Sequence, residues 1–227
     1  MPKAFMRTFL MLFCTFLGCF FSIRGVSDGS AFLLDDEIVA RVRGQFGQDA
    51  ARRLTRWQAL INNSTKDSDW QKLHKVNQFV NSVVQYKSDW EHWGAEDYWA
   101  TPLETLQTGA GDCEDYVILK YFTLRAMGVA EDKMRLMYVR ALELNEPHMV
   151  LIYIDKPGDY PLVLDNINTT ILPANRRTDL RPVYSFNTEG LWMARAQGIG
   201  NKVENSAGVS QWRQLLTRIE TDNTATR

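Results

Sequence analysis

Apolar residues recur along the chain in three patterns, and each predicts a kind of element. The first is an unbroken run. Lys3 and Arg7 precede a stretch from Phe9 to Ile23 that only Thr15, Gly18 and Ser22 interrupt. A basic start ahead of about 15 apolar residues predicts a secretory signal peptide, whereas a membrane span needs about 20. Residues 1–25 are therefore read as an export signal and residues 26–227 as one domain. Phe16-Leu17-Gly18-Cys19 is a weak match to a lipoprotein cleavage site, which would attach a lipid at Cys19.

The second pattern has helical spacing. Asp35-Asp36-Glu37 opens a short helix with acids at its positive end. After Gly47, the residues Ala50, Leu54, Trp57, Leu60 and Ile61 predict a second helix. A third starts near Ser68 or Asp69, with Leu73, Val76, Phe79, Val80, Val83 and Val84 as one stripe. His74 lies just off that stripe, which puts it at the surface. Tyr86, Trp90, Trp93, Tyr98 and Trp99 then crowd among Asp, Glu and Gly without a period. Residues 86–111 are read as an ordered loop region held by aromatic packing and a candidate groove wall, with a brief helical turn at Thr101-Pro102. A further helix carries Val117, Ile118, Phe122 and Leu124 and stops at Gly128.

The third pattern is short and rich in branched residues. Leu136–Leu142, Met149–Ile154 and Leu162–Leu164 are predicted strands, and Pro157-Gly158-Asp159 is a turn between the last two. Val183–Phe186 and Leu191–Met193 follow, and Ser210–Ile219 closes as a helix with Trp212, Leu215, Leu216 and Ile219. Helices first and antiparallel strands later make an α+β domain.

Composition narrows the function. With 45% hydrophobic and 23% charged residues the chain can build a core and is not a disordered segment. Its 26 basic and 27 acidic residues argue against a nucleic-acid binder that works by bulk basicity. Loss of residues 1–25 removes Lys3, Arg7 and Arg24, leaving 23 basic against 27 acidic residues and a net charge of −4. It also removes Cys14 and Cys19, so Cys113 is the one remaining thiol of three and no internal disulfide can form. A lone thiol in an oxidising compartment is a hazard unless it is buried or used.

Cys113 stands in Gly109-Ala110-Gly111-Asp112-Cys113-Glu114-Asp115-Tyr116. Asp112 is a good N-cap and Asp115 sits three residues on, as in a capping box. Cys113 then occupies the first helical position, where unpaired N–H groups and the helix dipole lower a thiol's pKa. The glycines allow a tight turn and close approach of a substrate backbone. Asp112, Glu114 and Asp115 act the other way, because like charges disfavour a thiolate. A bound calcium ion would resolve that conflict, although the spacing is not that of an EF-hand.

Three histidines exist. His148 follows Asn145-Glu146-Pro147 at the mouth of a strand. Pairing residues 148–154 with 161–165 around the Lys156-Pro157 turn sets His148 opposite Asp165, with Cβ atoms about 5 Å apart. That is the base and orienter of a catalytic triad, with Cys113 as nucleophile. His92 is the rival base, but it lies in the aromatic loop without an evident carboxylate partner. The Cys113 N–H is a plausible oxyanion donor.

The order Cys113, His148, Asp165 resembles the transglutaminase-like branch of the papain-like cysteine hydrolases. Several longer stretches are similar to the bacterial transglutaminase-like cysteine proteinases. They are Asp97–Glu104, Gly109–Tyr116, Lys120–Arg125, Lys133–Leu136, His148–Leu151, Leu162–Asn166 and Pro182–Asn187. The resemblance spans about residues 60–195. It implies a papain-like fold with N-terminal helices packed on an antiparallel sheet. It also implies the activity of the LapG-type periplasmic members, which cut the N-terminal region of a giant surface adhesin at a double-alanine site and so disperse a biofilm. It implies inhibition by the periplasmic domain of an inner-membrane cyclic di-GMP receptor. It further implies calcium held by Asp112 and Glu114, with Asp115 as a further ligand. Three other functions stay open: an amide hydrolase or transferase acting on cell-wall peptide or a glutamine side chain, a non-catalytic calcium-binding module, and a membrane-anchored scaffold.

Overall fold

The elements form where apolar spacing and capping residues place them. The computed structural model describes Leu34 and residues 36–195, 198–204 and 209–225, so the expected signal peptide lies outside the described residues. Helix α1 (Asp36–Ser64) is two helices joined at Gly47, whose φ of 85° no side chain tolerates well. Ile38 and Val42 are buried before the joint, and Ala50, Leu54, Trp57 and Ile61 after it. Helix α2 (Asp69–Val83) starts at the expected place. Ser68 and Gln71 cap it reciprocally, and Leu73, Val76, Phe79 and Val80 face inward while His74 is exposed.

Residues 86–111 are more regular than the sequence reading allowed. Besides helix α4 (Pro102–Thr108), capped by Thr101 with Glu104, they hold the five-residue helix α3 (Asp89–Trp93), capped by Ser88. Strands β1 (Gln85–Tyr86) and β2 (Ala110–Gly111) pair in parallel at the two ends of this region. Aromatic packing is present: Trp93 lies 4.2 Å from His92 and 4.8 Å from Tyr98, centroid to centroid.

Helix α5 (Cys113–Ala126) is the centre of the molecule. Every residue from Asp115 to Leu124 is buried, as expected of a helix covered on all sides. It lies on the sheet through β3 (Met134–Ala141) and β4 (Glu146–Tyr153), and α2 and α4 pack on it. Trp57 Nε1 donates to Thr123 Oγ1 at 2.8 Å, which ties α1 to the same helix.

The large sheet is antiparallel and runs β6-β5-β4-β3-β7-β8-β9. The added strands are β5 (Leu162–Leu164), β6 (Leu172–Pro173), β7 (Leu180–Phe186), β8 (Leu191–Arg195) and β9 (Gly198–Glu204). The α+β class and the helices-on-sheet arrangement are as expected, while β6 and β9 are additions. The register of β4 with β5 is a correction. Leu151 faces Leu164 and Tyr153 faces Leu162, two residues away from the expected pairing, and the ladder ends at Leu164. His148 and Asp165 are therefore diagonal neighbours on one face, not direct partners. Helix α6 (Ser210–Ala225) plugs the core with Trp212, which meets Tyr121, Phe122 and Phe186 at 5.6–5.8 Å. Among the described residues no helix is long and apolar enough to cross a membrane.

Candidate active site

The turn ahead of Cys113 is fixed from several sides. Gln85 N–H donates to Gly109 O and Lys87 N–H to Gly111 O, so β1 holds the strand that enters α5. Gly109 closes α4 in the left-handed conformation (φ 70°). Gly111 is needed for a different reason from the one expected. A Cβ there would stand 2.4 Å from Asp115 Oδ2, so the space belongs to the protein's own carboxylate and not to a substrate backbone. Asp115 is wholly buried and accepts from Ala100 N–H at 2.8 Å and Asp112 N–H at 3.3 Å.

Cys113 takes the first position of α5, as expected from the cap. Its thiol donates to Glu114 Oε2 at 2.9 Å, and the Met149 N–H of β4 lies near enough to the sulfur to favour its ionised form. Of the two opposing effects on its acidity, the one that weakens the acid prevails. Burial pushes the thiol well above its ordinary pKa, Glu114 and Asp112 add to this, and the Met149 N–H only partly offsets them.

His148 is next to Met149 and buried. Its Nε2 lies 2.8 Å from Asp165 Oδ1, so the expected pair forms despite the shifted register. Ionised Asp165 makes Nε2 the protonated nitrogen and leaves the Nδ1 lone pair free to accept a proton. Burial would raise the Asp165 pKa, but hydrogen bonding and charge from His148, then Arg177 and the Ile167 N–H, hold it well below the usual carboxylate range. The structure thus brings the thiol to the residue beside His148. The thiol hydrogen, however, is turned to Glu114.

The other candidates sort differently. His92 stacks on Trp93, and burial, followed by the nearby Lys87 charge, lowers its pKa, which suits packing and not base chemistry. Trp99 is buried against Phe186 at 5.8 Å, and the Tyr98 hydroxyl is taken up by Glu104 and Arg218. The exposed aromatics of this region are Tyr86 at 62% and Trp90 at 69%.

The carboxylates around the thiol are more numerous than the sequence reading had them. Asp112, Glu114 and Asp115 are joined by Asp89 and Asp97. The sets Asp112–Cys113–Glu114, Asp89–Asp112–Asp115 and Asp89–Asp97–Glu114 each bring ligand atoms within 4.8 Å of one another. Asp89 Oδ2 accepts from Tyr98 N–H at 2.6 Å, while Asp89 Oδ1 and Asp112 Oδ1 are buried without a hydrogen bond. Asp97 accepts from Trp99 Nε1 at 2.9 Å and from Gln211 Nε2 of α6 at 2.8 Å. Arg218 of α6 adds bonds to Glu104 Oε2 at 3.1 Å and to Trp99 O. Burial pushes the Asp112 pKa up to about 10, helped by Glu114, Asp115 and Asp89. Burial also takes Asp89 up to about 6 against the Tyr98 N–H, with Glu114 and Asp97 adding to the rise. Two buried orphan oxygens among crowded acids are the donor set of a hard cation. Asp89 and Asp97 lay in the acidic aromatic segment already singled out, but nothing in their spacing tied them to Cys113.

Comparison with known proteins identifies the family. The family model described as bacterial transglutaminase-like cysteine proteinase (BTLCP) matches residues 47–194. Among solved structures, EGTA-treated Legionella pneumophila LapG is 40% identical. It has a TM-score of 0.71, and the match covers 82% of this chain and 98% of that one. Calcium-bound Legionella pneumophila LapG is 39% identical with a TM-score of 0.70, covering 82% of this chain and 99% of that one. A comparison with curated protein sequences finds no match. The match over residues 47–194 and the 40% identity over most of the chain make it a member of the bacterial transglutaminase-like cysteine proteinases.

Proposed function

We propose that the protein is a calcium-dependent periplasmic cysteine endopeptidase with Cys113 as nucleophile, His148 as base and Asp165 as orienter. The observation that carries this is the buried His148–Asp165 pair at 2.8 Å, one residue from the strand N–H that meets the Cys113 sulfur. His148 Nδ1 takes the thiol proton while Asp165 holds the ring through Nε2. The sulfur attacks the peptide carbonyl, and the C–N bond breaks as His148 returns the proton to the leaving amine. Water, deprotonated by His148, then releases the acyl group and restores the thiol. The Cys113 N–H, one of the helix-start donors without an intrahelical partner, faces the developing oxyanion.

Asp112, Glu114, Asp89 and Asp97 are the residues that would hold calcium, with Asp115 bracing the turn beneath them. The two orphan oxygens, Asp89 Oδ1 and Asp112 Oδ1, support that assignment. The ion supplies positive charge that offsets the crowded carboxylates. The calcium-bound form of Legionella pneumophila LapG supports it from outside.

The substrate in this reading is the N-terminal region of a large repeat-containing surface adhesin, cut at a double-alanine site so that the adhesin is released and the biofilm disperses. The periplasmic domain of an inner-membrane cyclic di-GMP receptor would hold the enzyme inactive. Both rest on the family likeness over 82% of the chain. The purified protein should cut an adhesin N-terminal fragment in calcium, and not in EGTA or as Cys113→Ala. Absence of cutting by the wild type, or equal cutting by the variant, would overturn the proposal. N-terminal sequencing of the exported protein tests removal of residues 1–25.

A further inference from the structure

Asp165 lies one residue past the end of the β4–β5 ladder, so no strand neighbour fixes it. It is nevertheless gripped at every polar atom that carries a lone pair. Oδ1 accepts from Ile167 N–H at 3.0 Å besides its 2.8 Å bond to His148 Nε2. Oδ2 accepts from Arg177 Nη2 at 2.6 Å. Its backbone carbonyl accepts from Lys120 Nζ of α5 and Asn81 Nδ2 of α2, each at 2.9 Å. Arg177 is 3% exposed and is itself held by Asp179, through Nε at 2.9 Å and Nη2 at 2.7 Å. The peptide of Asp165 is thus fixed by two helices and its carboxylate plane by a buried guanidinium.

We propose that Arg177 is a positioning residue for the His148–Asp165 pair, which rests on the proteinase reading above. Two effects follow from its place. Geometrically, the bond to Oδ2 stops the carboxylate from turning and aims Oδ1 at Nε2. Electrostatically, the charged groups meeting Asp165 are Arg177 with Asp179 behind it and Lys120 from α5. Across β3, His148 itself faces Val139. Arg177 shares the charge of Asp165. A buried carboxylate opposed by imidazole alone would draw a proton onto His148, and an imidazolium cannot accept the thiol proton. Arg177 therefore lets Asp165 stay ionised while His148 stays neutral.

The test uses Arg177→Gln and Arg177→Lys in the full exported chain, with circular dichroism as the folding control. Arg177→Gln should lower kcat by about 10–100-fold with KM nearly unchanged, and Arg177→Lys should recover part of the loss. In a Cys113→Ala background, NMR titration of His148 should show the imidazole midpoint rising by on the order of one pH unit in Arg177→Gln. Asp179→Asn, which loosens Arg177 from its outer side, should shift both readouts the same way by less. A folded Arg177→Gln protein with wild-type kcat and an unmoved midpoint would overturn the proposal. If the wild type cuts no substrate, the proteinase reading fails, while the imidazole midpoint still decides whether Arg177 sets the state of His148.

Discussion

At Gly111 a single added methyl group would stand 2.4 Å from Asp115 Oδ2 and 2.6 Å from Asp115 Cβ. Asp115 cannot step aside freely, because Ala100 and Asp112 N–H groups hold both its oxygens. Gly111→Ala should therefore cost about 1–3 kcal/mol, as overpacking does, seen as a lower denaturant midpoint at unchanged slope. An unchanged midpoint would show that the turn can yield. At this scale the sequence made Cys113, His148, Asp165, Asp112, Glu114 and Asp115 visible because their chemistry is local: a cap, a hairpin and a run of acids. The expected register was two residues off, yet His148 and Asp165 still meet, because side chains alternate with period two and an even shift keeps a face. Asp89, Asp97 and Arg177 were not legible. Asp89 and Asp97 lie 24 and 16 positions from Cys113, and Arg177 lies 12 from Asp165, so folding alone brings them to the site.

Among the elements, α5 depends on others for its surroundings. The bond from Trp57 Nε1 to Thr123 Oγ1 is buried and is a polar tie between α1 and α5. Thr123→Val keeps the volume and leaves the indole N–H without that acceptor, which should cost about 1–3 kcal/mol in equilibrium unfolding. Adding Trp57→Phe should give less than the sum of the two losses, and full additivity would mean that the bond contributes nothing. Elements with their own start and stop signals were read closely, as with α2 between Ser68 and Val83. Those that exist by pairing alone were not. β9 has Gly198, Gly200, Asn201 and Lys202 in place of an apolar alternation, and it forms as a partner of β8. α3 is too short at five residues to show a helical period.

The whole molecule carries the cost of the acidic cluster. An unfolded aspartate ionises near about pH 3.9. In the folded chain Asp89 keeps its proton to about 6 and Asp112 to about 10, burial being the main cause in each. Between these limits the native state holds protons that the unfolded chain has lost, so stability falls as pH rises, by at most about 1.4 kcal/mol per pH unit for each proton. In EGTA the Tm should therefore drop from about pH 5 to about pH 8, and saturating calcium should raise the Tm and flatten the slope, because ligated carboxylates are ionised already. A Tm indifferent to calcium throughout that range would count against a cation site. The brace on Asp97 has one more consequence. Gln211 and Arg218, which hold Asp97 and its neighbours from α6, are encoded more than a hundred residues downstream of them. A ribosome delivers the acidic residues and the thiol first and their brace last. Until α6 has been made, the growing chain has its chemistry in hand, but Asp97 has only its local bond from Trp99 and lacks the one from Gln211.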